Sequence, residues 1–421
     1  MEPRNASADT RQIWVYFGIL TLTLGLAEPT GLLSLPLLFW LKDGLHLSAQ
    51  PVAVFEAIVL IPAYFGFAFG FLRDRWRPFG HGDRMFLAAA ALLAIAGYYW
   101  LAAGELTWLR LVIAIVVATS AFEVLGATAE ALMAIAGQRY VMTGRLSALA
   151  EFAEIVPGVI ALLLGGWMAS NVSPRNSIII AGLITGAVMV QALWRPVAVF
   201  APPVQAEENE NHLQALRRLM RDKSLRPAGA VLFLWNFSPG FGTPLLFFLS
   251  DHVKVSTEGF GAYRAVTLAS GAVAALLYAL LCRRVSLRRI LWWTLALNVL
   301  PGFLLLFAHS TVQALAIGAI IGLLLGLVNI AVFDLLRRSC PPSLEGSGMM
   351  LGYSVFALGG TLGDLLGAYL YERGGFLICL VLDAIATAAT LLVLARIPRS
   401  VLSSRDGEPS VHVPQQALAL K

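Results

Sequence analysis

The chain has 421 residues, 58% of them hydrophobic and only 13% charged, with mean hydropathy +0.76 and a formal charge of +5. Soluble domains carry about 25% charged residues, so this much apolar surface exceeds what one or two soluble cores bury, and the bilayer is the expected solvent. Cys282, Cys340 and Cys379 lie far apart and the six histidines are scattered, which argues against a disulfide framework, a metal cluster or a catalytic triad. Neither a cofactor nor an enzymatic reaction is expected.

A spanning helix needs about 20 apolar residues. Twelve such stretches run near 14–41, 51–72, 85–104, 108–136, 146–168, 176–196, 227–250, 259–282, 288–308, 311–336, 345–371 and 375–396. Barrel strands would alternate polar and apolar residues, so the stretches are expected to be helices. Residues 1–12 read as a mobile polar tail. The first stretch is too long for a signal peptide and lacks a small-x-small cleavage site. It holds Glu28-Pro29-Thr30-Gly31, where proline removes a backbone donor and glycine loosens the helix. After the second stretch come Gly66-x3-Gly70 and the dense loop Arg73-Asp74-Arg75-Trp76-Arg77-Pro78-Phe79-Gly80-His81-Gly82-Asp83-Arg84. Small residues at this spacing let helices approach closely.

Glu123 and Glu130 lie deep in the fourth stretch, seven residues apart and so nearly on one face; Glu151 and Glu154 lie in the fifth. A charge at the bilayer centre costs at least about 2.5 kcal/mol, so such residues face a cavity or a partner. Neighbouring desolvated carboxylates raise one another's pKa, which makes Glu123, Glu130 and Glu154 candidates for carrying a coupling proton; the plain alternative is hydrogen-bonded packing.

Residues 198–226 form the longest internal polar segment. It opens on Pro202-Pro203 and an acidic run, then sets Leu213, Leu216, Leu219 and Met220 at helical spacing opposite Arg217, Arg218 and Arg221. Two readings stand: a helix at the lipid headgroups, or a disordered linker. The seventh stretch carries Trp235, Asn236 and a second interruption, Ser238-Pro239-Gly240-Phe241-Gly242. Arg264 lies a turn or so into the eighth, Asp364 in the eleventh and Asp383 in the twelfth, and residues 400–421 read as a mobile tail.

The two interruptions are related. Pro36 to Ser48 (PLLFWLKDGLHLS) returns without a gap as Pro244 to Ser256 (PLLFFLSDHVKVS), an offset of 208 residues. A same-direction repeat of about half an apolar chain is the pattern of a transporter built from two bundles, and paired Gly/Pro interruptions at equivalent places point to the substrate site. Packing kinks are the alternative. The repeat sets Glu28 opposite Asn236 and Glu56 opposite Arg264. The candidate substrate-binding residues are therefore Glu28, Glu123, Trp235, Asn236, Arg264 and Asp364. Arg264 suits either a substrate carboxylate or Glu56, and Trp235 either stacking on a flat ring or plain packing.

Counting alternate connections on one face gathers 24 of the 30 Lys and Arg residues there, including both ends of the chain. The positive-inside rule makes that face cytoplasmic. The net charge thus reads as topology, and no nucleic-acid role is expected. The expected fold is an all-α membrane protein: twelve transmembrane helices in two six-helix bundles, both termini cytoplasmic. Residues 1–197 form the first bundle, 198–226 the cytoplasmic linker, 227–399 the second bundle and 400–421 the cytoplasmic tail.

The Arg73–Arg84 loop resembles that of the major facilitator superfamily, where an acid just past the glycine helps hold the inward gate shut. The resemblance implies that role for Asp74 and Arg75. It does not extend to His81-Gly82-Asp83-Arg84, where the family pattern has a basic pair. Four stretches together resemble the folate–biopterin transporters of that superfamily: Gly70 to Arg84; Leu234-Trp235-Asn236 through Pro239 to Phe247-Phe248; Gly261 through Arg264, Tyr278 and Arg283-Arg284 to Trp292; and Cys340-Pro341-Pro342-Ser343-Leu344-Glu345-Gly346 after Asp334. The chain departs from the family at Ser347-Gly348-Met349 and Ala357. The resemblance implies a monomeric bacterial inner-membrane carrier of pterins or folates, often with protons. A carboxylate accepts two parallel hydrogen bonds from an aminopyrimidine edge and Trp covers a flat ring, while an Arg suits a glutamate tail. Two other functions fit the composition: a proton-coupled exporter of drugs or cationic metabolites, and a non-transport membrane assembly factor.

Overall fold

The computed structural model describes residues 6–47, 55, 58–75, 82–194, 196–200, 212–255, 257–341, 343–397, 402–403 and 405–407. Among these residues every regular element is helical. In chain order they are α1 (Ala6–Ala27), α2 (Ser34–Phe39, continued by a π-helical turn Trp40–Gly44), α3 (Ile61–Tyr64), α4 (Gly66–Arg75), α5 (Asp83–Ala102), α6 (Trp108–Arg139), α7 (Thr143–Asn171), α8 (Pro174–Leu193), α9 (His212–Arg221), α10 (Leu225–Asn236), α11 (Thr243–Asp251), α12 (Thr257–Leu281), α13 (Leu287–Asn298), α14 (Pro301–Leu304, continued by a 3₁₀ turn Leu305–Phe307), α15 (Thr311–Ser339) and α16 (Glu345–Leu394). Among the described residues, eight segments are long and apolar enough to cross a membrane: Asp83–Ala102, Trp108–Arg139, Thr143–Asn171, Pro174–Leu193, Gly259–Leu281, Leu287–Phe307, Thr311–Ser339 and Glu345–Leu394.

The helices keep apolar residues on their outer faces as well as inside. Leu163, Leu193 and Val312 are 70%, 73% and 75% exposed, the pattern of a chain solvated by lipid. Helix starts follow local chemistry: Ser173 precedes Pro174 and its hydroxyl accepts the Asn176 N–H at 3.3 Å, and Ser310 does the same for Gln313 at 3.3 Å. Gly375, at φ +72°, breaks α16 in a conformation glycine alone adopts without penalty.

Two places depart from expectation. Ala6 to Gln12 belong to α1 rather than to a polar tail, because extending a helix by another residue costs little once it is nucleated. Leu402 and Asp406, in the expected second tail, are buried. The linker helix is present as α9, with Leu219 buried and Arg217, Arg218 and Arg221 exposed.

The chain forms two compact units. The first draws on residues 1–136, 153–208 and 343–350, the second on 137–152, 209–342 and 351–421. Each unit thus borrows a short segment from the other sequence half. In the first, α5 packs on α8, and α8 on α1. In the second, α12 packs on α15. That contact relies on Gly318, Gly322 and Gly326 at four-residue spacing: a Cβ added at Gly318 would stand 2.6 Å from the Tyr263 ring, and one at Gly326 2.8 Å from the Ala274 Cβ.

Candidate functional site

Both interruptions foreseen in the repeat are real. In the first unit the chain leaves helical geometry after Ala27 and resumes it at Ser34. The groups freed around Pro29 find partners nearby. Tyr98 O–H donates to the Ala27 carbonyl at 2.8 Å, Leu32 N–H to the Leu26 carbonyl at 3.1 Å, and Ser34 O–H to the Gly31 carbonyl at 2.7 Å. This satisfies the demand that non-helical backbone at membrane depth be buried in protein or face water. Glu28 sits at this break, half-buried, and accepts the Thr30 hydroxyl at 2.7 Å. Glu123, on α6 and also half-buried, lies within electrostatic reach of Glu28. Both acids belong to the first unit, although 95 residues separate them in the chain.

In the second unit the break runs from Phe237 to Gly242, and α16 lies against it. Gly359, Gly363 and Gly367, one turn apart, place the α16 backbone against Phe233, Ser238 and Pro239; a Cβ at Gly359 would stand 2.5 Å from the Phe233 carbonyl oxygen. Asn236 donates from Nδ2 to the Phe356 carbonyl at 2.8 Å. Ser238 donates its hydroxyl to Asp383 Oδ1 at 2.5 Å. Asp364 accepts the Thr243 N–H at 2.5 Å on Oδ1 and the Thr243 hydroxyl at 2.9 Å on Oδ2. Asp364 thus caps the start of α11 while Asp383 holds the chain leading into it. Trp235 is half-buried beside Asn236, and Arg264 is exposed on α12 next to buried Tyr263. Glu56, the other end of the expected pairing with Arg264, lies outside the described residues.

Of the remaining acids, Glu130 on α6 is half-buried and Glu154 on α7 is exposed, both in the first unit. Glu151, one turn before Glu154, belongs to the second unit, where Asn329 Nδ2 donates to both its oxygens at 3.2 and 3.0 Å.

A second cluster gathers charge at the helix ends. Asp74, its side chain fully buried, accepts the Gly346 N–H at 3.2 Å and both the N–H and the hydroxyl of Ser347 at 2.6 Å. Both residues lie in the first turn of α16, whose dipole favours an anion there. Arg73 donates to Asp74 at 2.7 Å and pairs with Asp83 at 2.6 Å. Gly70 and Gly346 permit the approach: a Cβ at Gly346 would stand 2.8 Å from Asp74 Oδ1. Arg75, the other expected gate residue, has its side chain outside the described residues.

In the second unit Arg338 donates from Nε and Nη2 to the two oxygens of Asp334 at 2.9 and 3.0 Å, and Tyr278 O–H reaches Asp334 Oδ2 at 2.8 Å. Arg337 Nη1 donates to the Ser147 hydroxyl at 2.8 Å, and Gln138 Nε2 to the Arg337 carbonyl at 2.7 Å. The sequence reading missed these partners, and it missed Asp383 as the anchor of Ser238. The four-residue spacing of Asp334 and Arg338 was a visible signal; the Gln138, Ser147 and Tyr278 contacts had none.

This arrangement, paired broken helices in each half with charge clamps at helix ends, agrees with the comparisons to known proteins. Residues 19–364 and 244–419 match the Major Facilitator Superfamily, and the chain belongs to that superfamily. Within it the chain is similar to the folate-biopterin transporter of Synechocystis sp. (strain ATCC 27184 / PCC 6803 / Kazusa), at 24% identity over 358 residues that cover 81% of this chain and 71% of that protein. The family resemblance expected from the four stretches is thereby supported. Among solved structures, the proton:xylose symporter XylE bound to 6-bromo-6-deoxy-D-glucose superposes with a TM-score of 0.69 at 13% identity, over 96% of this chain and 99% of that one. A bacterial homologue of the iron transporter ferroportin, in its outward-facing state, does so with a TM-score of 0.66 at 18% identity, over 91% and 98%. At these identities the structures share the fold alone. The chain is a multi-pass membrane transporter and not an enzyme.

Proposed function

We propose that the protein is a secondary carrier that takes up a flat heteroaromatic solute of the pterin or folate class, coupled to protons, by alternating access. The observation that carries this reading is that Glu28 stands at the break of the first helix with a second half-buried acid, Glu123, within electrostatic reach. One carboxylate can accept the two parallel N–H groups of an aminopyrimidine edge while the other exchanges a proton. Within the second unit, Trp235 and Asn236 at the equivalent break are suited to covering and orienting a flat ring, and Arg264 to pairing with a carboxylate tail. Asp364 supports that half of the site by holding Thr243 at the start of α11. Glu123, Glu130 and Glu154 form the proton-carrying set. Asp74 with its neighbour Arg75 is the inward gate, a reading supported by the four hydrogen bonds that Asp74 accepts.

The same reading takes the chain as twelve spans in a bacterial inner membrane with both termini in the cytoplasm, acting as a monomer. The broken pairs α1–α2 and α10–α11 each count as one span, and Gly375 divides α16 into two. Site-directed labelling that puts residues 205–225 on the outer face would overturn the topology.

The functional test is a thermal-shift screen of purified protein against pterins, folates and organic cations, followed by flux in proteoliposomes under an imposed pH gradient. The reading expects a pterin or folate to stabilise the protein and to accumulate on the alkaline side. Stabilisation by organic cations alone, with flow against the proton gradient, would favour an exporter. A stoichiometric protein partner without solute flux would favour an assembly role.

A further inference from the structure

The 208-residue offset that relates the two halves places Cys282 where the first half has Asp74. The acid that secures a helix start in the first unit is therefore missing from its repeat position in the second. A helix start in the second unit, that of α7, is nevertheless held by an acid in the same way. Gly346 is the second residue of α16 and donates its N–H to Asp74; Gly144 is the second residue of α7 and donates its N–H to Asp406 Oδ1 at 3.0 Å. Asp406 comes from beyond the last helix. It is buried, and its other oxygen pairs with Arg145 Nε at 2.5 Å. Its own N–H donates to the carbonyl of Cys282 at 3.0 Å, so this carboxylate is carried in on the very residue that stands in the acid's place. The next amide, Gly407 N–H, donates to the Val141 carbonyl at 2.6 Å. Val141 holds φ at +53°, a costly conformation for a β-branched residue that persists only where its surroundings impose it.

We propose that Asp406 is the gate residue of the second half: the segment around it supplies the carboxylate that the repeat omits at Cys282, and its release from Gly144 and Arg145 belongs to each transport cycle. The proposal rests on the alternating-access reading, but its test needs no substrate. When Asp406 lets go, the 137–152 segment loses its attachment to the second unit at one end. Cys340, fully buried, lies along the same segment, where its carbonyl accepts Gln138 Nε2 at 3.2 Å. Its thiol is a natural reporter.

The experiment measures maleimide labelling of the protein in nanodiscs without solute. Cys340 is kept as the reporting thiol in a Cys282→Ala, Cys379→Ala background, and Cys379 is kept instead in a matched control. Asp406→Ala removes two charge-assisted hydrogen bonds and is expected to speed labelling of Cys340 by about 10-fold or more while Cys379 is unchanged. Asp406→Asn, which preserves the fold more gently, is expected to give a smaller rise in the same direction. Replacing Cys282→Ala by Cys282→Asp in the Asp406→Ala protein puts the acid back at its repeat position and is expected to return the rate to within about 3-fold of the parent. An unchanged Cys340 rate would overturn the proposal, as would a rise matched by Cys379, which would mean general loosening. Failure of Cys282→Asp to restore protection would overturn the equivalence of the two carboxylates.

Discussion

Replacing Asp74 by Ala should open the N-terminal turn of α16 without unfolding the protein. Its carboxylate accepts two amides and one hydroxyl from Gly346 and Ser347, together with Arg73, and its side chain has no exposure. Hydrogen bonds to a charged group contribute about 1.5–3 kcal/mol each when counted alone, and breaking a buried pair costs about 3–5 kcal/mol. The cost falls at the lower end here because Arg73 keeps Asp83 at 2.6 Å and is not left as a lone buried charge. About 3 kcal/mol then corresponds to roughly a 100-fold shift in the local opening equilibrium. Hydrogen–deuterium exchange of a peptide spanning residues 343–350 reads that equilibrium directly, since two of the amides that lose their acceptor lie within it. Asp74→Asn keeps an acceptor oxygen but loses the charge, and should show about a tenth of the effect. Unchanged exchange in this peptide, or a rise shared equally by peptides of α12 and α15, would refute the reasoning.

Replacing Glu130 by Gln should leave solute binding and counterflow intact but abolish accumulation driven by a pH gradient, bringing the accumulation ratio in proteoliposomes to about one, since a carrier's gradient coupling requires a titrating group; unchanged accumulation in the Glu123, Glu130 and Glu154 Gln variants, singly and together, would remove this set as the proton carrier. Asp334→Ala takes away the acid to which Arg338 and Tyr278 donate, and should destabilise the second unit by about 3–5 kcal/mol in thermal unfolding. The double change Asp334→Leu with Arg338→Met should cost less than that single one, because no buried charge is left behind. Gly326→Val sets branched carbon against Ala274, where even a Cβ stands at 2.8 Å, and should cost about 1–3 kcal/mol by forcing α12 and α15 apart; a melting temperature equal to the parent's would show that the contact yields.

The sequence alone settled the solvent and the fold class. Composition excludes a soluble core, and the repeats at Pro36 and Pro244 mark both broken helices. These features were legible because they are local: a proline removes its own donor, and an apolar run of 20 residues needs no partner to be recognised. The acid and base positions along each helix were legible for the same reason. Their directions were not, because a rotation of 100° per residue separates a cavity-facing carboxylate from one that caps a neighbouring chain. Asp364 and Asp383 illustrate the difference. Both were visible as acids within apolar stretches, yet only packing of α16 against the break shows that they hold Thr243 and Ser238. That Glu123 lies within electrostatic reach of Glu28 was equally hidden, because it depends on how helices distant in the chain are placed. Asp406 marks the limit most clearly. Its local sequence reads as a polar tail, and a polar tail is ordered only when distant groups, here Gly144, Arg145 and Cys282, supply enough bonds to offset the entropy of fixing it.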